Sequence, residues 1–151
     1  MRHQAGFDSP LGALTLTEVD GVITALAWQR CKADGGSAAL AVACAQLAEY
    51  FAGKRQVFDL PLDFGSGFQE GVRRAMAAIP YGETRTYGDL ARALGAPAQA
   101  IGQACGANPI PILIPCHRVL AANGLGGYSG AGGVETKVAL LRLEGAASLL
   151  I

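Results

Sequence analysis

Hydrophobic and polar positions alternate most regularly near the start of the chain. Leu14 and Leu16 alternate with Thr15 and Thr17, Asp20-Gly21 supplies a turn, and Val22 to Trp28 reads as a return strand. Residues 12–28 are therefore expected to form a β-hairpin. After a loop-like stretch from Cys31 to Ser37 the period lengthens. Leu40, Cys44, Leu47 and Phe51 share one helical face within Ala38 to Ala52, with Ser37 placed to cap the start and Gly53 to stop the end. Cys44 then reads as a small buried hydrophobe and Trp28 as a core residue. Gln56 to Leu60 is expected to add a strand. The Pro-, Gly- and Asp-rich run from Pro61 to Gly67 reads as a loop that divides the chain into domains 1–66 and 67–151.

The second half carries a different pattern. Phe68 to Ala78 suits a helix, closed by the turn Ile79-Pro80-Tyr81-Gly82. Thr86 and Asp89 stand at capping-box spacing, Gly95 can end the helix they open, and Pro97 suits the first turn of another helix running to Cys105. Two short helices joined through a glycine fit a helix-turn-helix, and fit an ordinary αα-hairpin equally well. Ala98, Ala100, Gly102 and Ala104 leave the second helix almost without bulky side chains, which suits close approach to a DNA groove or tight helix packing.

Composition narrows the class. A chain of 151 residues, 51% hydrophobic, with 12 basic and 12 acidic residues, describes a soluble globular protein rather than a disordered or fibrous one. No run approaches the ~20 apolar residues of a membrane span, and Met1 to Asp8 contains no apolar signal core, so a cytoplasmic protein without membrane contact is expected. Zero net charge means that any nucleic-acid binding must rest on a local basic face, on backbone amides or on shape. Cys31, Cys44, Cys105 and Cys116 form no CxxC pair, and His3 and His117 lie far apart. Free thiols, no metal and no cofactor are expected.

The chemically loaded segment is Asn108-Pro109-Ile110-Pro111-Ile112-Leu113-Ile114-Pro115-Cys116-His117-Arg118-Val119. Three prolines in an apolar run are incompatible with an ordinary helix or a central strand, so a rigid, extended, buried passage is expected to deliver Cys116 and His117 to a fixed place. A cysteine attacks as its thiolate. A neighbouring histidine that takes the proton, directly or through a water, and the positive field of Arg118 are expected to lower the thiol pKa. Glu144, near the end of the final helix, is the candidate third group that orients His117.

These residues carry a resemblance. Pro115-Cys116-His117-Arg118-Val119, preceded by Gly106-Ala107-Asn108-Pro109 and followed by Gly127-Tyr128-Ser129-Gly130, resembles the signature of the O6-alkylguanine-DNA alkyltransferases, also called methylated-DNA–protein-cysteine methyltransferases. The resemblance covers about Phe68 to Gly145; the first half is similar only in its pattern of a small sheet with a helix. It implies a small ribonuclease-H-like α/β N-terminal domain followed by a mainly α C-terminal domain with a helix-turn-helix. It implies that Cys116 takes the alkyl group from O6-alkylguanine in double-stranded DNA, once per molecule, with His117 as base through a water and Glu144 polarising it. By the same resemblance Asn108 holds the turn behind the active-site segment, and Tyr87 presses on a phosphate and donates to the guanine leaving group. The Val119 carbonyl and the amide near Ser129 read the flipped base, and Tyr128 walls the pocket. The helix bearing Ala98, Gln99, Ala100 and Gly102 enters the minor groove, Arg118 joins the DNA-binding set, and the protein acts as a monomer. Such chemistry requires the base to leave the stack.

One position departs from the family pattern. Gln99 stands where the family presents an arginine that fills the space of the flipped nucleotide, in the run Ala98-Gln99-Ala100-Ile101-Gly102. Glutamine is shorter and uncharged. Weaker duplex binding or slower flipping follows, with relatively better use of single-stranded or distorted DNA. Arg73, Arg74, Arg85 and Arg92 are candidate phosphate contacts or solvated surface residues. Two other functions fit parts of the pattern. A non-enzymatic lesion-binding relative would lack the cysteine, and a Cys-His hydrolase would need nucleophile-elbow glycines that are missing.

Overall fold

The alternation at the start of the chain reaches further toward the N-terminus than expected. In the computed structural model, which describes residues 1–32, 34, 36–128 and 132–146, three antiparallel strands form one sheet in the order β1 (Arg2–Ser9), β2 (Gly12–Val19), β3 (Val22–Ala27). The expected hairpin is β2–β3. Its turn residues Asp20 and Gly21 both have positive φ, 52° and 88°, as the tight primed turns of hairpins demand. Strand β1 escaped the periodicity because it is an edge strand: only Ala5 and Phe7 give it apolar alternation, and none of its residues is fully buried.

Helix α1 (Ala38–Phe51) begins where Ser37 accepts a hydrogen bond from the Leu40 N–H at 3.3 Å. Its buried face runs through Leu40, Ala43, Gln46, Leu47 and Tyr50. Cys44 and Phe51 are only half-buried, one step round the helix from the expected stripe, and Trp28 is half-buried as well. Tyr50 packs its ring against Phe58, which sets that face. Gln56 to Leu60 makes no strand. The Gln46 side chain accepts from the Asp59 N–H at 2.9 Å and donates to the Asp59 carbonyl at 3.2 Å, so a helix side chain takes the hydrogen bonds that a ladder would have used. Just past that segment Leu62 bridges to the sheet at Ile23, whose backbone bonds with Pro61 and Asp63.

The chain divides into compact units Met1–Asp63 and Phe64–Ile151, so the division lies a few residues ahead of the boundary read from composition. The second unit contains α2 (Gly67–Ala77), β4 (Arg85–Thr86), α3 (Tyr87–Leu94), α4 (Ala98–Gly106), β5 (Val119–Leu120) and α5 (Val134–Leu143). Thr86 and Asp89 form the capping box of α3, and Gly95 ends that helix in the left-handed conformation at φ 63°. Pro97 lies one residue ahead of α4, as its N-cap. Val72, Met76, Ile101, Ile110, Ile114, Val119, Leu140 and Leu141 are buried to 0% exposure and form the unit's core. Among the described residues, no helix is long and apolar enough to cross a membrane.

Candidate active site

The proline-rich passage is buried as expected, but it is not extended. Its backbone closes a succession of turns, with the Ile114 N–H donating to the Ile110 carbonyl at 2.9 Å and the Leu113 N–H to the Pro111 carbonyl at 2.9 Å. Asn108 makes this winding possible. Its buried side chain donates to the Ile114 carbonyl at 2.9 Å and accepts from the Ile110 N–H at 3.1 Å, supplying partners that strand neighbours would otherwise provide. Ile112 is held at φ 72°, a strained conformation for a β-branched residue that costs on the order of 1–3 kcal/mol. Such strain persists only where the surroundings over-determine the backbone. The passage delivers a single 3-10 turn, Cys116–Arg118, whose three side chains are all buried.

Cys116 opens onto a cavity of about 420 Å³ lined by Tyr87, Gly102, Cys105, Gly106, Cys116, Gly127 and Tyr128. Several elements converge there. The parallel pairing of β4 with β5, Arg85 opposite Val119 and Thr86 opposite Leu120, sets the start of α3, and so Tyr87, in the same short sheet as the end of the cysteine segment. Gly126 at φ 72° leaves room for the Tyr87 ring: a Cβ there would stand 3.1 Å from it. Helix α4 adds Gly102, Cys105 and Gly106. Gln99 is exposed on the same side of that helix, one turn ahead of Gly102; Ala98 is exposed and Ala100 half-buried.

Behind the cysteine lies a buried charge cluster. His117 Nε2 donates to Glu144 Oε2 at 2.7 Å. Arg118 donates through Nε to Oε1 at 2.8 Å and through Nη2 to Oε2 at 3.0 Å, and its Nη1 donates to the Ile79 carbonyl at 2.7 Å. His117 Nδ1 is buried and makes no hydrogen bond with any described residue. Burial alone would push the Glu144 carboxyl up, but the hydrogen bonds from His117 and Arg118 outweigh it and hold the group at about 2. Burial pushes the His117 imidazole down, against the pull of Glu144, so it stays neutral.

Four expectations change at this point. The Cys116 thiol is pushed up, not down: its burial outweighs the hydrogen bond with Asn108 and the charge of Lys137. Arg118 exerts little field on it because Glu144 neutralises that guanidinium. For the same reason Arg118 leaves the DNA-binding set, being 6% exposed with its donors spent inside the protein. Arg73 is buried too, donating to Gln69, while Arg74, Arg85 and Arg92 pair with Glu70, Glu83 and Asp89 at the surface. Ser129 lies outside the described residues.

Sequence reasoning missed Lys137. It is fully buried, with Nζ donating to the Val119 carbonyl at 2.6 Å and the Gly127 carbonyl at 3.0 Å. The Val119 carbonyl therefore already has one donor and retains one lone pair. Burial lowers the ammonium to about 8, against the attraction of Cys116 and Cys105. A signal existed: Lys137 stands three residues before Leu140 and four before Leu141, on the apolar face of α5, where a charged residue is informative. Cys105, the second thiol on the cavity, is pushed up to about 12 by burial.

Comparison with known proteins agrees with this geometry. Residues 67–146 match the family model for the 6-O-methylguanine DNA methyltransferase DNA-binding domain, and residues 3–64 that for its ribonuclease-like domain. A methylated-DNA–protein-cysteine methyltransferase of Mycolicibacterium paratuberculosis is 48% identical over 148 residues, covering 91% of this chain and 88% of the relative. The crystal structure of Mycobacterium tuberculosis O6-methylguanine methyltransferase superposes with a TM-score of 0.85 at 44% identity, covering 97% of this chain and 94% of that one. A Mycobacterium tuberculosis OGT in complex with DNA matches with a TM-score of 0.85 at 45% identity, covering 95% and 93%.

Proposed function

The chain belongs to the 6-O-methylguanine DNA methyltransferase family, and from that premise we propose that it repairs DNA by moving the alkyl group of O6-alkylguanine irreversibly onto Cys116, once per molecule. The observation that carries this reading is the placement of the Cys116 thiol on an open cavity with the Glu144–His117 pair directly behind it. The neutral His117 has one nitrogen committed to Glu144 and the other, Nδ1, free to accept a proton through a bridging water. The thiol, held neutral by burial, gives up that proton as it reacts. Its sulfur attacks the alkyl carbon, the carbon–O6 bond breaks, and the electron pair returns to the guanine ring, which takes a proton from the Tyr87 hydroxyl. Glu144 stabilises the imidazolium that results.

Tyr128, the Val119 carbonyl and the segment around Ser129 would hold the extruded base, with Asn108 fixing the turn behind the thiol. Helix α4, with Ala98 and Gly102 on one side and the half-buried Ala100 further round, offers small residues that suit the minor groove of double-stranded DNA, with the protein bound as a monomer. The decisive test is to incubate the protein with duplex DNA containing O6-methylguanine and weigh the Cys116 peptide. A stoichiometric gain of one methylene on Cys116 is expected. Binding without gain would make this a lesion-binding relative and overturn the reading.

Gln99 sets the finer expectation. Exposed ahead of Gly102, it can hydrogen-bond an orphaned base but offers neither the reach nor the charge of arginine. The substitution Gln99→Arg is expected to raise the transfer rate on duplex DNA by about tenfold, corresponding to roughly 1.4 kcal/mol, and to raise it less on single-stranded DNA. Rapid-quench rates on both substrates check this; equal rates before and after the change would refute it.

A further inference from the structure

We propose that Arg118 is a positioning residue for alkyl transfer: its two-pronged grip on Glu144 fixes the carboxylate so that His117 is held as the Nε2–H tautomer with Nδ1 turned to the reacting side. The inference deepens the reading above and rests on it for its kinetic test.

The geometry is specific. Both oxygens of Glu144 are engaged by one guanidinium, through Nε to Oε1 and Nη2 to Oε2, while Oε2 also accepts from His117. A planar fork of this kind fixes both position and orientation, whereas a point charge fixes only distance. The fork itself is anchored. Nη1 donates to the Ile79 carbonyl beyond the end of α2, and the guanidinium lies 5.8 Å from the Tyr81 ring, whose hydroxyl donates to the Leu143 carbonyl beside Glu144. Gly82 tightens the same corner, because a Cβ there would stand 3.2 Å from the Glu144 carbonyl. The carboxylate is thus held by groups from either side, and Arg118 joins them.

Charge balance gives the arrangement its consequence. Acting on the imidazole are Glu144 and Lys137 from α5 and its end and Arg118 from its own turn, with Tyr81 beyond Arg118; the neutral Cys116 thiol opens the same turn. With His117 neutral, Arg118 and Glu144 cancel. Protonating His117 would leave a net positive charge in a buried place where Lys137 is already positive, which is costly. Without Arg118 the His117–Glu144 pair would carry a net negative charge in the same buried place and would hold a proton strongly. The shared proton would then block Nδ1 or neutralise Glu144, and His117 would fail as a base at a pH where it otherwise works.

The test is the pH dependence of single-turnover alkyl transfer, with rate constants measured apart from the stoichiometric end-point, since the end-point counts folded molecules and the rate constant does not. For Arg118→Met the acid limb of the rate profile is expected to move up by about one pH unit or more. For Arg118→Lys, which keeps the charge and loses the fork, the limb is expected to stay within about half a unit of wild type while the rate falls. A Met variant that is slower with an unmoved limb, or a Lys variant whose limb moves as far as the Met variant's, would overturn the proposal. A second readout needs neither variant nor activity. The chain has only two histidines, so 15N-histidine spectra resolve His117, which is expected to remain neutral and Nε2-protonated below the ordinary value of about 6.5. A His117 that is Nδ1-protonated, or that charges at or above that value, sinks the inference even if both variants fail to fold. Absence of any transfer by the wild-type protein would count against the proposed function and leave the tautomer result standing.

Discussion

Replacing Glu144 with alanine is expected to destabilise the unit that contains it by about 3 to 5 kcal/mol, because it strands a buried guanidinium without its counter-charge. Arg118 makes two of its three hydrogen bonds to that carboxylate and is 6% exposed, so water cannot substitute freely. His117 Nε2 would lose its acceptor at the same time. The titration of the carboxyl sets the same size. A carboxyl held at about 2 in the folded chain, against an ordinary 4.5, contributes roughly 3 kcal/mol at neutral pH. The sign follows from the direction: the folded value lies below the unfolded one, so the stabilisation is complete above about 4.5 and is lost as pH falls toward 2. Urea unfolding of wild type and Glu144→Ala should therefore show a large gap at pH 7 that shrinks between about pH 4.5 and 2. A gap below about 1 kcal/mol at pH 7, or one independent of pH, would show that the carboxylate is not the keystone of this cluster.

The legible parts of this protein were those encoded locally. The Asp20-Gly21 turn, the Ser37 cap, the Thr86/Asp89 capping box and the Gly95 stop each depend on a few adjacent residues, and each stands where the sequence places it. Glu144 was identifiable as the partner of His117 because few acids follow it in the chain. What could not be read depends on partners distant in sequence. The Gln56 to Leu60 segment has strand-like composition, yet the Gln46 side chain takes its hydrogen bonds. The proline run excludes helix and central strand, but only the reach of Asn108 to Ile114 decides between extended chain and successive turns. Arg118 beside a cysteine suggests thiol activation or DNA contact; in the fold it faces Glu144, twenty-six residues away, and serves neither role directly. A charge next to a nucleophile in sequence thus says little about the field at its sulfur.

The charge that does act on that sulfur is Lys137, and Lys137→Met is expected to slow alkyl transfer by about 10² to 10³-fold, the effect of removing one preorganised charge from a dry site, with little change in stability. The lack of a stability effect is part of the prediction. At neutral pH the ammonium is buried with no carboxylate among the described residues to pair it, and burial brings it to about 8 from an ordinary 10.5. A basic group lowered on folding costs stability while it is charged. That cost, roughly 3 kcal/mol, is fully present below about pH 8 and is relieved as pH rises toward 10.5. Methionine removes it, but leaves the Val119 and Gly127 carbonyls each short of one donor, at about 1–3 kcal/mol apiece. The two effects oppose and nearly cancel. The rate has no such compensation, because Lys137 is the cation whose charge favours the Cys116 thiolate, and its ammonium ties the Val119 carbonyl to that of Gly127, which lines the cavity. The pH profile separates these contributions. Wild-type transfer should decline above about pH 8 as Lys137 loses its proton, and the residual rate of the methionine variant should lack that decline. If the variant reacted within a few-fold of wild type, or kept the same basic limb, the thiolate would have to draw its stabilisation from the Asn108 hydrogen bond or from the His117 imidazolium, because Arg118 is already neutralised by Glu144.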